Sequence, residues 1–134
     1  MKINEDIESV LKTYKKVAIV GISGKSYRPS YGVASFLKLK GYHIYPVNPG
    51  LDTVLGEKCY QSLLDIAEPV EIVDIFRRPE YVDEIVDQAI KIGAKVVWMQ
   101  LGVINEKAAR KALEAGMAVV MDRCMKIENK KWIK

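Results

Sequence analysis

Three times along this chain an amphipathic helical pattern runs into a glycine and then into a short β-branched run, and this recurrence restricts the fold more than any other feature. Val33, Phe36 and Leu37 precede Gly41 and the run from His43 to Val47. Val82, Ile85, Val86 and Ala89 precede Gly93 and Lys95 to Met99, and Ala109, Ala112 and Leu113 precede Gly116 and Ala118 to Met121. Spacings of three and four put each apolar set on one helical face, and each glycine suits the left-handed position that ends a helix. The runs that follow are nearly continuous in apolar residues rather than alternating. Such strands are buried on both faces, which requires a parallel sheet between two layers of helices.

Adding Val17–Val20 and Ile72–Phe76 gives five strands. The expected fold is a three-layer α/β/α arrangement with a five-stranded parallel sheet, and the right-handed crossover rule favours the strand order 3-2-1-4-5. At 134 residues the chain is one domain. A helix over about residues 4–14, with Glu5 and Asp6 in its first turn, precedes a core over 16–124, and a basic tail covers 125–134. The stretch from Pro49 to Pro69 is the irregular one, expected to hold a tight turn near Gly56, an extended piece at Lys58–Tyr60 and a short helix from Ser62.

Composition narrows the classes of function. The start Met1-Lys2-Ile3-Asn4-Glu5-Asp6 is not a secretory signal, and no apolar run approaches the roughly 18 residues of a membrane span, so a cytoplasmic protein is expected. Cys59 and Cys124 match no metal spacing and read as thiols. The net charge of +4 gathers partly in Lys126, Lys130, Lys131 and Lys134. Without interleaved aromatics this is solvated surface rather than a nucleic-acid patch, and a phosphorylated small molecule would use the same field.

In a parallel sheet of this kind ligands bind beyond the carboxyl ends of the strands, where the order reverses. After the first strand come Gly21, Ser23, Lys25, Arg28 and Ser30; after the second, Asn48 and Pro49; after the third, Arg77 and Arg78; after the fourth, Gln100. The loop from Gly21 is longer than a GxGxxG turn, with serines at 23 and 26 where glycines would stand. Ser30 reads as an N-cap whose helix would point free amides at a phosphate. A dinucleotide fold would place an acid on the ribose at the end of the second strand, and here that strand ends in Val47-Asn48-Pro49. Guanidinium forks at 77 and 78 suit phosphates.

No catalytic constellation is legible. His43, the only histidine, starts a strand far from the carboxyl ends, and Asp122-Arg123 reads as a local ion pair.

Taken jointly, Gly21-Ile22-Ser23, Arg28-Pro29-Ser30-Tyr31, Tyr45-Pro46-Val47-Asn48-Pro49, Phe76-Arg77-Arg78-Pro79, Trp98-Met99-Gln100-Leu101-Gly102 and Asp122-Arg123-Cys124 resemble the small single-domain CoA-binding proteins. These in turn are similar to the N-terminal CoA-binding domain of the succinyl-CoA synthetase α subunit. The resemblance implies a Rossmann-like fold with coenzyme A as cofactor. It puts the pyrophosphate on Gly21, Ser23 and Ser30, the adenosine near Val47, Asn48 and Pro49, and contacts from Phe76 and Arg77. The 3′-phosphate of CoA would repel an acid at the ribose, and Lys25, Arg28 or Arg77 would meet it.

The synthetase's second domain, with its phosphorylated histidine, has no counterpart in these residues. The expected function is therefore non-catalytic binding of CoA or acyl-CoA, as carrier, sensor or accessory subunit. An NAD(P)-binding oxidoreductase or redox sensor is one alternative, and an interaction subunit of an acyl-CoA synthetase is another. The expected partners are CoA or acyl-CoA, with a second copy of the chain or a synthetase as further partners. Were the pantetheine arm to run toward the end of the fifth strand, Cys124 would be placed to form a mixed disulfide with CoA.

Overall fold

The computed structural model describes residues 2–134. In chain order the elements are α1 (Ile7–Thr13), β1 (Lys16–Val20), α2 (Pro29–Leu39), β2 (His43–Val47), β3 (Thr53–Val54) and β4 (Glu57–Lys58). A single 3-10 turn (Leu63–Asp65) follows, then β5 (Ile72–Ile75), α3 (Pro79–Lys91), β6 (Val96–Met99), α4 (Glu106–Glu114), β7 (Ala118–Val120) and α5 (Met125–Trp132). The apolar runs all enter one parallel five-stranded sheet, and β3 and β4 form a separate antiparallel hairpin.

Alternate residues of each strand feed two cores, as a sheet buried on both faces must. Ala18, Val20, Val73, Ile75, Val97 and Met99 pack under α3 and α4. Val17, Ile19, Ile72, Val96 and Trp98 pack under α1, α2 and α5. The helical faces expected from the spacing are the buried ones: Val33 and Leu37 in α2, Val82, Ile85, Val86 and Ala89 in α3, Ala109 and Ala112 in α4. Gly41, Gly93 and Gly116 end these helices at φ of 92°, 76° and 87°.

The layered α/β class holds, but one strand sits elsewhere than expected. The sheet order is β2-β1-β5-β6-β7, so the third of its five strands lies between the first and the fourth rather than outside the second. Pro46 supplies a reason. Its carbonyl accepts the Tyr60 N–H at 2.9 Å on the outer side of β2, and the Asn48 N–H donates to the Tyr60 carbonyl at 2.9 Å. The donor that proline lacks faces the same outer side, where a full strand would require it, so β2 is suited to the edge and β5 is received by β1.

The irregular stretch follows the expectation. The β3–β4 hairpin turns through Leu55 and Gly56, both at positive φ, and Ser62 Oγ accepts the Leu64 N–H at 3.2 Å to start the short turn.

The chain ends depart from it. The first helix begins only at Ile7, because Asn4 sits at φ 65° and its side chain brackets the end of β7 through Met121 O (3.0 Å) and Met121 N (2.7 Å). The basic tail is helix α5, with Met125, Glu128 and Asn129 buried. Asn129 Nδ2 donates to the Tyr42 hydroxyl at 2.9 Å, and that hydroxyl donates to Leu11 O at 2.9 Å, tying α5 to α1 through the start of β2. The lysines make a solvated outer stripe on a helix whose inner face is committed to the core.

One buried group is out of keeping with its surroundings. Asp74, in the middle of β5 between Ile19 and Trp98, is fully buried and neither carboxylate oxygen has a hydrogen-bond partner. Burial holds its carboxyl well above the ordinary carboxylate range. The folded chain therefore keeps a proton that the unfolded chain releases above a pKa of about 4. Stability through this group is greatest in acid and declines as pH rises toward the raised folded value. Asp74→Val should abolish that decline and raise stability at neutral pH by roughly 1–3 kcal/mol, read from urea unfolding at several pH values. Asp74→Asn should abolish the decline with a smaller gain, since a polar group stays buried.

Candidate functional site

The order β2-β1-β5 makes the chain reverse direction between β1 and β5, so the crevice of this sheet lies over the carboxyl ends of those two strands. Gly21 follows β1 there, with φ at +88°. A Cβ on it would lie 2.4 Å from the Phe76 carbonyl oxygen and 2.8 Å from Arg77 Cδ. No side chain fits, so glycine is required twice over, by conformation and by close approach.

A cleft of about 1080 Å³ opens above this point, walled by the loop after β1, the start of α2, the ends of β5 and β6, and the start of α5. A second cleft of about 660 Å³ lies on the α3 side, and the two share Gly21, Asn48, Phe76 and Arg77. Gly21, Ser23, Lys25, Arg28, Ser30 and Gln100 line the larger cleft, as does Cys124. Val47 and Pro49 face only the smaller one. The structure thus gathers every residue singled out from the sequence around one pair of adjoining hollows.

The β1 loop is braced by its own side chains. The Ser23 N–H donates to Ser30 Oγ at 2.9 Å, the Lys25 N–H to Ser23 Oγ at 3.0 Å and the Arg28 N–H to Lys25 O at 3.0 Å. Ser30 is not the N-cap. Pro29 takes the first helical position and Arg28 the cap, which puts Ser30 one residue inside α2. Its hydroxyl, nearly buried, closes the loop as an acceptor and keeps a proton to donate. The open first-turn amides of α2 still face the cleft, since no side chain caps them.

Asn48 ties the second loop to the first, with Nδ2 donating to Ile22 O at 2.7 Å and Oδ1 accepting the Gly50 N–H at 2.8 Å. Its side chain is a brace rather than a free ligand group. Gln100, 5% exposed, accepts the Met125 N–H on Oε1 at 3.0 Å, which fixes the amide's orientation because a backbone N–H can only donate. Its Nε2 has no acceptor among the described residues and opens to the cleft.

Lys25, Arg28, Arg77 and Arg78 supply positive charge around the larger cleft, and among the described residues no carboxylate lines it. The Arg77 guanidinium lies 4.4 Å from the centre of the Tyr81 ring, a contact that orients the fork where the two clefts meet. Ile22, Leu51, Val103 and Ile127 form an apolar part of the wall. These were illegible in the sequence because an apolar wall residue has the same pattern as a core residue. Gln61, Tyr81 and Gln88 in the smaller cleft carried no strand-end position to mark them.

Two neighbouring groups differ from expectation or sit apart. Asp122 is not paired with Arg123: its Oδ1 accepts the Gly102 N–H at 2.7 Å, while Arg123 donates to the Asp122 carbonyl at 2.8 Å. With φ at 59°, Asp122 turns its carboxylate back to brace the β6 loop. His43 lies at the opposite end of the sheet, stacked on Tyr45 with ring centres 4.6 Å apart. Among the described residues no group of three or more His, Cys, Asp or Glu is placed to hold a metal ion, and no helix is long and apolar enough to cross a membrane.

Gly21→Ala should lower stability by roughly 1–3 kcal/mol from the left-handed backbone alone, with added cost from the Phe76 contact. Gly32→Ala, at a site with open space around its Cβ, should be neutral or stabilising in the same thermal and urea unfolding series.

The fold has close counterparts. A solved structure of a hypothetical protein from Pyrococcus horikoshii OT3 superposes with a TM-score of 0.94 at 47% identity, covering 99% of this chain and 94% of that one. The uncharacterized protein YneT of Bacillus subtilis (strain 168) is 38% identical over 122 residues, 91% of this chain and 90% of its own length. The ADP-forming acetate–CoA ligase II of Archaeoglobus fulgidus is 36% identical over 83 residues, 60% of this chain but only 12% of the ligase. The family model of the CoA binding domain matches residues 15–130, and the chain belongs to that family.

Proposed function

We propose that this chain is a non-catalytic binding module for coenzyme A or acyl-CoA, serving as a carrier, a sensor or an accessory subunit. The observation that carries the reading is the charge pattern at the strand ends. Lys25, Arg28, Arg77 and Arg78 stand around the larger cleft, which is lined, among the described residues, by no carboxylate, and β2 is followed by Asn48 where a dinucleotide site would hold an acid; Glu84 reaches the smaller cleft from α3, away from the end of β2. A ribose bearing its own phosphate favours that arrangement, and a ribose with two free hydroxyls does not. Membership of the CoA binding domain family supports the same ligand.

The ligand's parts find chemically matched surroundings. The uncapped first turn of α2 and the Ser30 hydroxyl suit the pyrophosphate. The smaller cleft, with Val47, Pro49, Gln61 and Gln88 and with Glu84 on its α3 wall, suits the adenosine. Gln100 Nε2 and the apolar wall of Val103 and Ile127 suit an arm of amides and methylenes. Arg77, at the junction of the clefts, is the cation best placed to meet the 3′-phosphate.

Calorimetric titration of CoA, dephospho-CoA, acetyl-CoA and NAD, side by side, tests the reading. CoA and acetyl-CoA should bind, dephospho-CoA should bind roughly 10–100-fold more weakly, and NAD should bind more weakly than CoA. Arg77→Ala should reduce the affinity for CoA by a similar factor and barely change that for dephospho-CoA, since the two losses concern one contact. NAD binding more tightly than CoA would replace this reading with a dinucleotide-dependent one.

The likeness to a small part of an ADP-forming ligase favours one specific form of the accessory role, as the CoA-binding partner of a separately encoded synthetase. Such a partner should co-purify with the full chain and gain acyl-CoA ligase activity on mixing. Unchanged activity across a titration of the two proteins would exclude that form and leave the carrier and sensor roles.

A further inference from the structure

We infer that Cys124 is a modification site at which the chain takes coenzyme A as a reversible mixed disulfide, an inference that rests on CoA occupying the larger cleft. The two cysteines of the chain stand in opposite situations. Cys59 is buried on the hairpin side, its thiol donates to Asn48 O at 3.6 Å, and burial pushes its pKa up. Cys124 is half-buried, lines the larger cleft, and occupies the N-cap of α5 without using its side chain as a cap. Its sulfur has no hydrogen-bond partner among the described residues.

A thiol at the edge of a hollow is unremarkable by itself, and it is Gln100 that gives this one a ligand to meet. Gln100 is 95% buried by its 5% exposure, and its carbonyl oxygen is held by the amide of Met125, the residue after Cys124. Two N–H donors on Nε2 are thereby presented to the cleft without an acceptor. These donors keep contact with the cleft rather than being sealed in the core, so they are open to an acceptor that enters it. A backbone-like amide carbonyl is a natural acceptor, and the arm of CoA carries two such amides on the way to its thiol. With the phosphates at the start of α2 and an amide at Gln100, the arm is directed along the apolar wall toward the start of α5. Ile127 and Cys124 line that end.

The exchange balances with a CoA disulfide as the oxidant. The Cys124 thiol loses its proton to solvent, and the thiolate attacks one sulfur of the CoA disulfide. A protein–CoA disulfide forms as the original S–S bond breaks, and one CoA leaves as a thiolate that takes up a proton. A thiol reductant returns both partners. A thioester has no free sulfur to engage in a disulfide, so the covalent form selects CoA over acyl-CoA and records the redox state of the ligand pool.

Intact-mass spectrometry with peptide mapping decides the matter on the full chain, using CoA disulfide and, as an untargeted control, glutathione disulfide. The expected result is a single CoA adduct on the peptide carrying Cys124, formed at least roughly tenfold faster than the glutathione adduct and removed by dithiothreitol. Excess acetyl-CoA should slow it, and Cys124→Ser should lose it. Equal rates with both disulfides, or an adduct on Cys59 instead, would overturn the inference. Calorimetry with CoA under reductant is run in parallel: binding without adduct formation defeats the covalent step alone, and absence of binding defeats the CoA reading and this inference together.

Discussion

The close approach of Gly21 to the Phe76 carbonyl is the constraint on which the site depends. It exists because β5 enters the sheet beside β1, which makes the chain leave one side of β1 for β2 and return on the other. Two strand ends then diverge at a point where their backbones nearly touch, and any Cβ would fill the gap. The hollow left above lies where the crossovers leave β1 in opposite directions. Had β5 added outside β2, the reversal would have fallen beside β6 and a different set of loops would have faced it.

Around that point the polar side chains divide into those already committed and those still open. Asn48 and Asp122 spend their hydrogen-bonding capacity on neighbouring backbone, and so hold the loops after β2 and β6 in place. Ser30 and Gln100 spend half of theirs on backbone and keep donors turned toward the cleft. Rigid first, receptive second, is the arrangement that makes binding inexpensive in ordering entropy. The charged groups follow a similar separation. Cations stand at the cleft, Lys111 bridges Asp83 and Asp87 on the outer surface of α3 and α4, and Asp74 lies within the sheet with its pKa raised by burial.

The helix at the carboxyl end of the chain completes the wall. Its lysine-rich sequence reads as a tail, yet Met125, Glu128 and Asn129 are buried, and the Asn129–Tyr42–Leu11 relay joins it to α1. Burial pushes the Tyr42 hydroxyl's pKa up, partly offset by the Asn129 bond, so the relay stays neutral through the physiological range. Without α5 the larger cleft would lack the side formed by Cys124 and Ile127.

What the amino-acid sequence determined by itself was local and periodic. The helix faces, the glycines that end them, the doubly buried strands, the turn at Gly56 and the list of strand-end residues follow from spacing and backbone preference over a few positions, which tertiary contacts had no cause to overrule. The CoA-binding kinship was legible because several short motifs recurred together between Val17 and Cys124. Only the tertiary structure decided which strand lies beside which, although Pro46 carried a signal for an edge that periodicity alone does not read. Only it decided that Ser30 sits inside α2, that Asp122 turns to Gly102 rather than to Arg123, and that the tail is a packed helix. Each of these is a choice between partners far apart in sequence and nearly equal in local energy. It is settled by the packing and pairing that the assembled fold allows.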